Sequence, residues 1–113
     1  MTDTNNLTIA GRIVKDAEFK QTNSSLIVRF SIAVNKSKRV NDTWEDEVSY
    51  IDVQAWGKLA ETMVGNLKQG TRINVVGYLK QDRWEQDGQR RSKLLVVAND
   101  IFFEAPKEFA NGF

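Results

Sequence analysis

Apolar and polar residues alternate along four stretches of this chain, and a fifth stretch is apolar almost throughout. Leu7, Ile9, Gly11 and Ile13 alternate with Thr8, Ala10, Arg12 and Val14, a period of two that predicts a strand with Arg12 directed away from the core. Asn23-Ser24-Ser25 is a turn signal. Beyond it Val28, Phe30, Ile32 and Val34 alternate with Ile27, Arg29, Ser31, Ala33 and Asn35, a second long strand with Arg29 on its polar side. Residues 36–47 are charged and aperiodic, and read as a long hairpin loop. Alternation resumes over 48–56, where Ile51, Val53 and Ala55 share one face and Tyr50, Asp52, Gln54 and Trp56 share the other. Two large aromatics on an otherwise polar face point to a flat ligand.

Gly57 ends that strand, and Leu59, Met63, Val64 and Leu67 recur at helical spacing. This predicts a short amphipathic helix over 58–67 with its stop at Gly70. Ile73, Val75, Gly77 and Leu79 then alternate with Asn74, Val76, Tyr78 and Lys80, and the same parity carries Trp84 to the side of Tyr78 and Lys80. Asp87-Gly88 is a hairpin signal. The apolar run over 93–103 has the look of a strand enclosed in a barrel or at an interface, and Pro106 ends it.

At 113 residues one core and one domain are expected. Three strands, one helix and two strands, with glycines inside strands where a small barrel must bend, predict an all-β chain with one short helix. That order matches the five-stranded oligonucleotide/oligosaccharide-binding (OB) barrel. It would occupy 1–104, followed over 105–113 by a short extension without pattern.

Composition narrows the chemistry. With no histidine and no cysteine, the chain has no imidazole base, thiolate, disulfide or usual zinc ligand. Asp42, Glu45, Asp46 and Glu47 form the one dense acidic set, but they lack the spacing and glycine of a calcium loop and read as solvated. No catalytic residue, metal site or cofactor is expected. The first residues lack signal-peptide or transit character, which predicts a cytoplasmic, nucleoid-associated protein.

A net charge of +1 does not by itself argue for a polyanion partner, so the argument rests on distribution. A sequence-tolerant binder of single strands needs aromatic platforms for bases interleaved with cations for phosphates. Tyr50, Trp56 and Trp84 are the candidate platforms. Arg12, Arg29, Lys36, Lys38 and Arg39, with Lys80, Arg83, Arg90, Arg91 and Lys93, are the candidate phosphate or cation–π partners. Each aromatic also has a packing alternative, in the core, at an oligomer interface or across strands. Trp44 could pack on the loop base or meet a ligand.

Ala10-Gly11-Arg12-Ile13-Val14-Lys15-Asp16-Ala17-Glu18, Phe30-Ser31-Ile32-Ala33-Val34-Asn35, Ala55-Trp56-Gly57-Lys58-Leu59-Ala60-Glu61 and Val76-Gly77-Tyr78-Leu79 resemble, in order and spacing, the bacterial single-stranded DNA-binding protein family. The resemblance runs from about Asn6 to Phe103. It implies an OB barrel, a homotetramer, and non-catalytic binding and protection of single-stranded DNA in replication, recombination and repair. It also implies aromatic contacts at Tyr50, Trp56 and Trp84. A further family aromatic falls near Lys38 here, so that platform is missing unless Trp44 replaces it. Asp16-Ala17-Glu18 stands where the family often has Asp-Pro-Glu.

Such proteins continue into a glycine-rich tail with an acidic end that recruits replication and repair proteins. This sequence reaches Phe113 without one, which is the expectation for a truncated form or a short phage or plasmid type; such partners are expected only if an acidic tail lies beyond Phe113. Two other classes are open. One is a primosome-type assembly module that mainly binds proteins, and the other an enzyme built on the acidic set.

Overall fold

The computed structural model describes residues 1–104, so the expected extension over 105–113, Pro106 included, lies outside the described residues. The chain runs through β1 (Leu7–Ile13), β2 (Glu18–Gln21), β3 (Leu26–Val40), β4 (Thr43–Trp56), α1 (Gly57–Thr62), β5 (Arg72–Gln86) and β6 (Gln89–Phe103). Left-handed backbone at two dipeptides folds the long strands into hairpins. Asn41 and Asp42 (φ 50° and 66°) reverse β3 into β4, and Asp87 and Gly88 (φ 51° and 78°) reverse β5 into β6. Positive φ at both central residues gives a turn whose twist matches that of the strands it joins, and Asn, Asp and Gly tolerate it.

The hairpins close into a barrel. β1 pairs with β5 and then, at Arg12↔Ala33 and Ile13↔Ile32, with β3; β5 pairs with β6, and β3 with β4. The ring is completed by a short parallel pairing of β4 with β6 at Val53↔Val96 and Gln54↔Val97. This is the expected five-stranded barrel. Its interior is filled by the inward positions of each strand, among them Val28, Phe30, Ile32, Val53, Ile73, Val75 and Val96. Each such side chain contributes about 1.5–3 kcal/mol by leaving water.

Two glycines permit the closure. At Gly11, where β1 passes from β5 to β3, a Cβ would lie 2.5 Å from the Ala33 carbonyl oxygen. At Gly77 a Cβ would overlap the Val97 carbonyl oxygen, beside a bulge that leaves Asn99 unpaired on β6. The extra residue is on β6, so the alternation along β5 is unbroken from Tyr78 to Trp84.

Four expectations are corrected. Residues 36–47 are not a loop: all except Asn41 and Asp42 continue the β3–β4 hairpin in register out to Val40↔Thr43. This arm projects beyond the core, so neither side needs apolar residues, and cross-strand pairs such as Lys38↔Glu45 take their place. The helix ends at Thr62, not Leu67, with Met63 as its C-cap. Gly65 (φ 83°) then turns the chain and leaves Val64 exposed, while Met63 and Leu67 still reach the core. Gly70 (φ 88°) belongs to the turn before β5 and does not stop the helix. Finally, β2 was not foreseen; this four-residue strand flanks the barrel along Leu26–Arg29 of β3. Among the described residues no helix is long and apolar enough to cross a membrane.

Gly77→Ala drives a methyl group into backbone that neither strand can move without opening the ring. The expected result in urea denaturation is a loss of about 3 kcal/mol or more, beyond the ordinary range of overpacking.

Candidate nucleic-acid interface

Residues directly opposite across a ladder share a face, so the register fixes what stands beside what. One row crosses four strands on the outside of the barrel: Arg29, Gln54, Val97 and Tyr78. Next to it Ser31 faces Asp52, and Leu95 faces Lys80. Tyr50 faces Ala33, which faces Arg12 on β1, so Arg12 and Tyr50 lie on one side of the sheet. The expected polar face of β4 is thus continuous with the outer faces of β1, β3, β5 and β6.

Three features stand out on this face. Trp56, at the N-terminal end of α1, lines a shallow depression with Leu59, Tyr78, Lys80, Val97 and Asn99. Val97 and Leu95 are 6% and 5% exposed although they point outward, and form an apolar floor between the hairpins. The enclosed apolar look of the last strand is therefore correct for Leu95–Ala98, which are buried on both faces, whereas Leu94, Phe102 and Phe103 of the same run are exposed. Second, Tyr50 is 70% exposed and Trp56 43%, so neither is a core residue. Third, Trp84 stands at the outer end of β5 opposite Arg91, and is 42% exposed.

The cations divide by the same parity. Arg12, Arg29, Lys80, Arg91 and Lys93 lie on the outer face with the aromatics. Lys36 and Lys38 lie on the reverse side of the β3–β4 arm, opposite Glu47 and Glu45, and Lys38 Nζ is 3.9 Å from Glu47. Arg83 and Arg90 lie on the reverse side of the β5–β6 arm; Arg83 donates from Nε and Nη2 to Gln81 Oε1 (3.0 and 2.8 Å), and Arg90 faces Glu85. Arg39 shares the side of Tyr50 but is held by Asp42 at 3.1 Å. The structure therefore does not bring Lys36, Lys38, Arg83 and Arg90 to the aromatic face, because one step along a strand reverses the side chain.

Trp44 faces Arg39 on the side of Tyr50, at 71% exposure, and so does not pack on the base of the hairpin. Tyr78 is the aromatic that sequence reasoning passed over as a site residue; its shared parity with Lys80 and Trp84 was the available signal.

Between the two hairpin arms lies a cleft of about 210 Å³. Arg29 and Ser31 of β3, Asp52 and Gln54 of β4, and Lys93 and Leu95 of β6 line it. Lys15, Asp16 and Glu18 approach from the β1–β2 side and Asp82 from β5. Ser31 Oγ donates to Asp52 Oδ1 at 2.6 Å, and Lys93 Nζ reaches Oδ2 at 3.5 Å. The acidic set at 42–47 is spread along the hairpin arm, and among the described residues no group of three or more His, Cys, Asp or Glu side chains could hold a metal ion.

The chain is similar in sequence and in fold to known proteins. The sequence model of the Single-strand binding protein family matches residues 4–104. The chain is similar to a single-stranded DNA-binding protein of Treponema pallidum, at 38% identity over 102 residues, covering 89% of this chain and 58% of that one. It is similar to single-stranded DNA-binding protein 2 of Chlorobaculum tepidum at 40% identity, covering 91% of this chain and 72% of that one. It therefore spans a little over half the length of the first relative. In fold it is similar to a solved Plasmodium falciparum SSB complex with ssDNA, with a TM-score of 0.83 at 19% identity over 93% of this chain and 98% of that one.

The exposures order the three indoles. Acrylamide is expected to quench Trp44 more strongly than Trp56 or Trp84, so Trp44→Phe should remove the most accessible component of the emission. Equal quenching before and after that substitution would mean that Trp44 is covered.

Proposed function

The chain belongs to the single-strand binding protein family, and we propose that it binds and protects single-stranded DNA, tolerant of sequence and without catalysis, in replication, recombination and repair. The observation that carries this reading is the grouping of Trp56, Tyr78 and Lys80 around one depression, over an apolar floor and in line with Arg29. A base stacks on an exposed ring whatever its identity, because every base has a flat face. Trp56, Tyr50 and Trp84 serve as platforms, joined by Tyr78 and, on the outer arm, Trp44. Arg12, Arg29, Lys80 and Arg91 take the phosphates, with Lys93 once it leaves Asp52; Lys36, Lys38, Arg83 and Arg90 are turned away. Arg39 joins them only when it leaves Asp42.

The protein acts in the cytoplasm as a homo-oligomer, in the tetrameric form that the family resemblance implies. Exposed Val76, Phe102 and Phe103 support that reading, since a second copy would remove them from water. The same residues favour a second reading, a primosome-type module that uses the barrel chiefly to bind other proteins. Recruitment of replication and repair proteins by a tail would require an acidic segment beyond Phe113.

Titration with mixed-sequence oligonucleotides should quench tryptophan emission, with affinity falling steeply as salt rises. Affinity indifferent to salt would reject the reading, and binding of proteins alone would favour the second one. Trp56→Ala should weaken binding by roughly 5- to 150-fold, the equivalent of about 1–3 kcal/mol for one stacked base, with the melting transition retained. Arg29→Ala or Lys80→Ala should lower the salt slope by about one unit, whereas Lys36→Ala and Lys38→Ala should leave it in place.

A further inference from the structure

The cations of the outer face differ in what stands against them. Lys80 faces Leu95 and Arg91 faces Trp84 across the β5–β6 ladder, and neither is in an ion pair among the described residues. Lys93 has acid on two sides: its Nζ lies 3.5 Å from Asp52 Oδ2, and Asp82 stands opposite it in the ladder. Around them the cleft lining carries three basic residues, Lys15, Arg29 and Lys93, and four acidic ones, Asp16, Glu18, Asp52 and Asp82, a sum of −1. A phosphate that reaches Lys93 therefore meets an ammonium already neutralised, and has to compete with a carboxylate for it.

The competitor is held in place. Asp52 Oδ1 accepts from the hydroxyl of Ser31, its partner in the β3–β4 ladder, at 2.6 Å, which leaves Oδ2 for Lys93. Ser31 and Asp52 belong to one long hairpin and Lys93 to the other, and among the described residues theirs is the one ion pair that joins the two. Asp52 immediately precedes the Val53↔Val96 pairing, so the ion pair stands where the two arms begin to diverge. Both side chains are half-exposed. Water and salt screen such a pair, and one anion can replace another at Lys93 without a large penalty.

We infer that Asp52 sets the affinity for single strands, as a competitor within the chain that holds Lys93 off the phosphates. The inference rests on the single-strand-binding reading above and assigns one residue's part in it. In the free protein the carboxylate occupies Lys93. A strand that draws the ammonium to a phosphate leaves Asp52 as an unpaired negative charge beside a polyanion, so the gain from that contact is largely offset. As the strand leaves, Asp52 retakes Lys93, and the ammonium is never left bare. Arg39 and Asp42, 3.1 Å apart, repeat the arrangement at the tip of the β3–β4 arm, where Arg39 stands opposite Trp44. Because it acts on phosphates, which carry no sequence information, the device is indifferent to the bases of the strand.

The test is titration of the wild-type chain, Asp52→Asn, Lys93→Met and the double variant with oligocytidylate and oligothymidylate over a range of salt, read by tryptophan quenching. Asparagine keeps an acceptor for Ser31 and removes the charge, so the melting transition should be retained. Asp52→Asn should bind about 5-fold more tightly, the upper end for an exposed ion pair, with a salt slope steeper by about one unit. Lys93→Met should cost about 5-fold in the Asp52→Asn chain and clearly less in the wild type, since only there is the ammonium already taken. The gain should be the same for both strands. Unchanged or weaker binding by Asp52→Asn, an equal cost of Lys93→Met in the two backgrounds, or a gain confined to one base would overturn the role of Asp52 while leaving single-strand binding intact. Binding of neither strand by the wild-type chain would instead overturn the reading on which it rests.

Discussion

Two residue pairs, Val53↔Val96 and Gln54↔Val97, hold the architecture together. They are the only parallel pairing among the described strands, and they join one long hairpin to the other. A parallel ladder is slightly weaker per residue than an antiparallel one, so a contact this short needs support from packing. It has that support, because Val53 and Val96 are almost wholly buried in the core beneath it. The same pairing carries Gln54 and Val97 to the outside, and thereby sets Arg29, Gln54, Val97 and Tyr78 in one row. The core and the functional face are opposite sides of the same four residue positions.

Closure of the ring limits what can stand at its corners. Gly11 and Gly77 lie where one backbone crosses close to another, at Ala33 and Val97. Beyond the ring the hairpin arms have no core to cover and are free to carry charge on both sides. Ion pairs there, such as Arg39 with Asp42, are exposed and contribute about 1 kcal/mol or less each. Their larger effect is to decide which cations are available. A cation that faces a glutamate across the ladder is neutralised locally, and one that stands beside an aromatic ring with no opposing acid is ready for a phosphate.

Between the arms the balance reverses. The lining of the cleft carries four acidic residues, Asp16, Glu18, Asp52 and Asp82, against three basic ones, Lys15, Arg29 and Lys93, whereas Lys80 and Arg91 lie outside it beside Trp56 and Trp84.

Much of this was legible from the order of residues alone. A period of two survives in any strand with one side in water, so the strands through Ile13, Ile32, Val53 and Val75 could be found, as could the hairpin at Asp87-Gly88 and the exposed aromatics Tyr50, Trp56 and Trp84. The arm over 36–47 could not be recognised as strand, because a hairpin solvated on both sides has no apolar period to read. The helix read too long, because Met63 and Leu67 are buried by a turn and imitate a helical stripe. What the chain determined by itself is the parity of each strand, since neighbouring side chains must point to opposite faces. Which strands lie side by side, and hence that Lys38 is turned to Glu47 while Lys80 joins Trp56, was decided only by the tertiary structure. Register across a ladder depends on residues distant in sequence, and on a barrel whose closure leaves a single way to pair them.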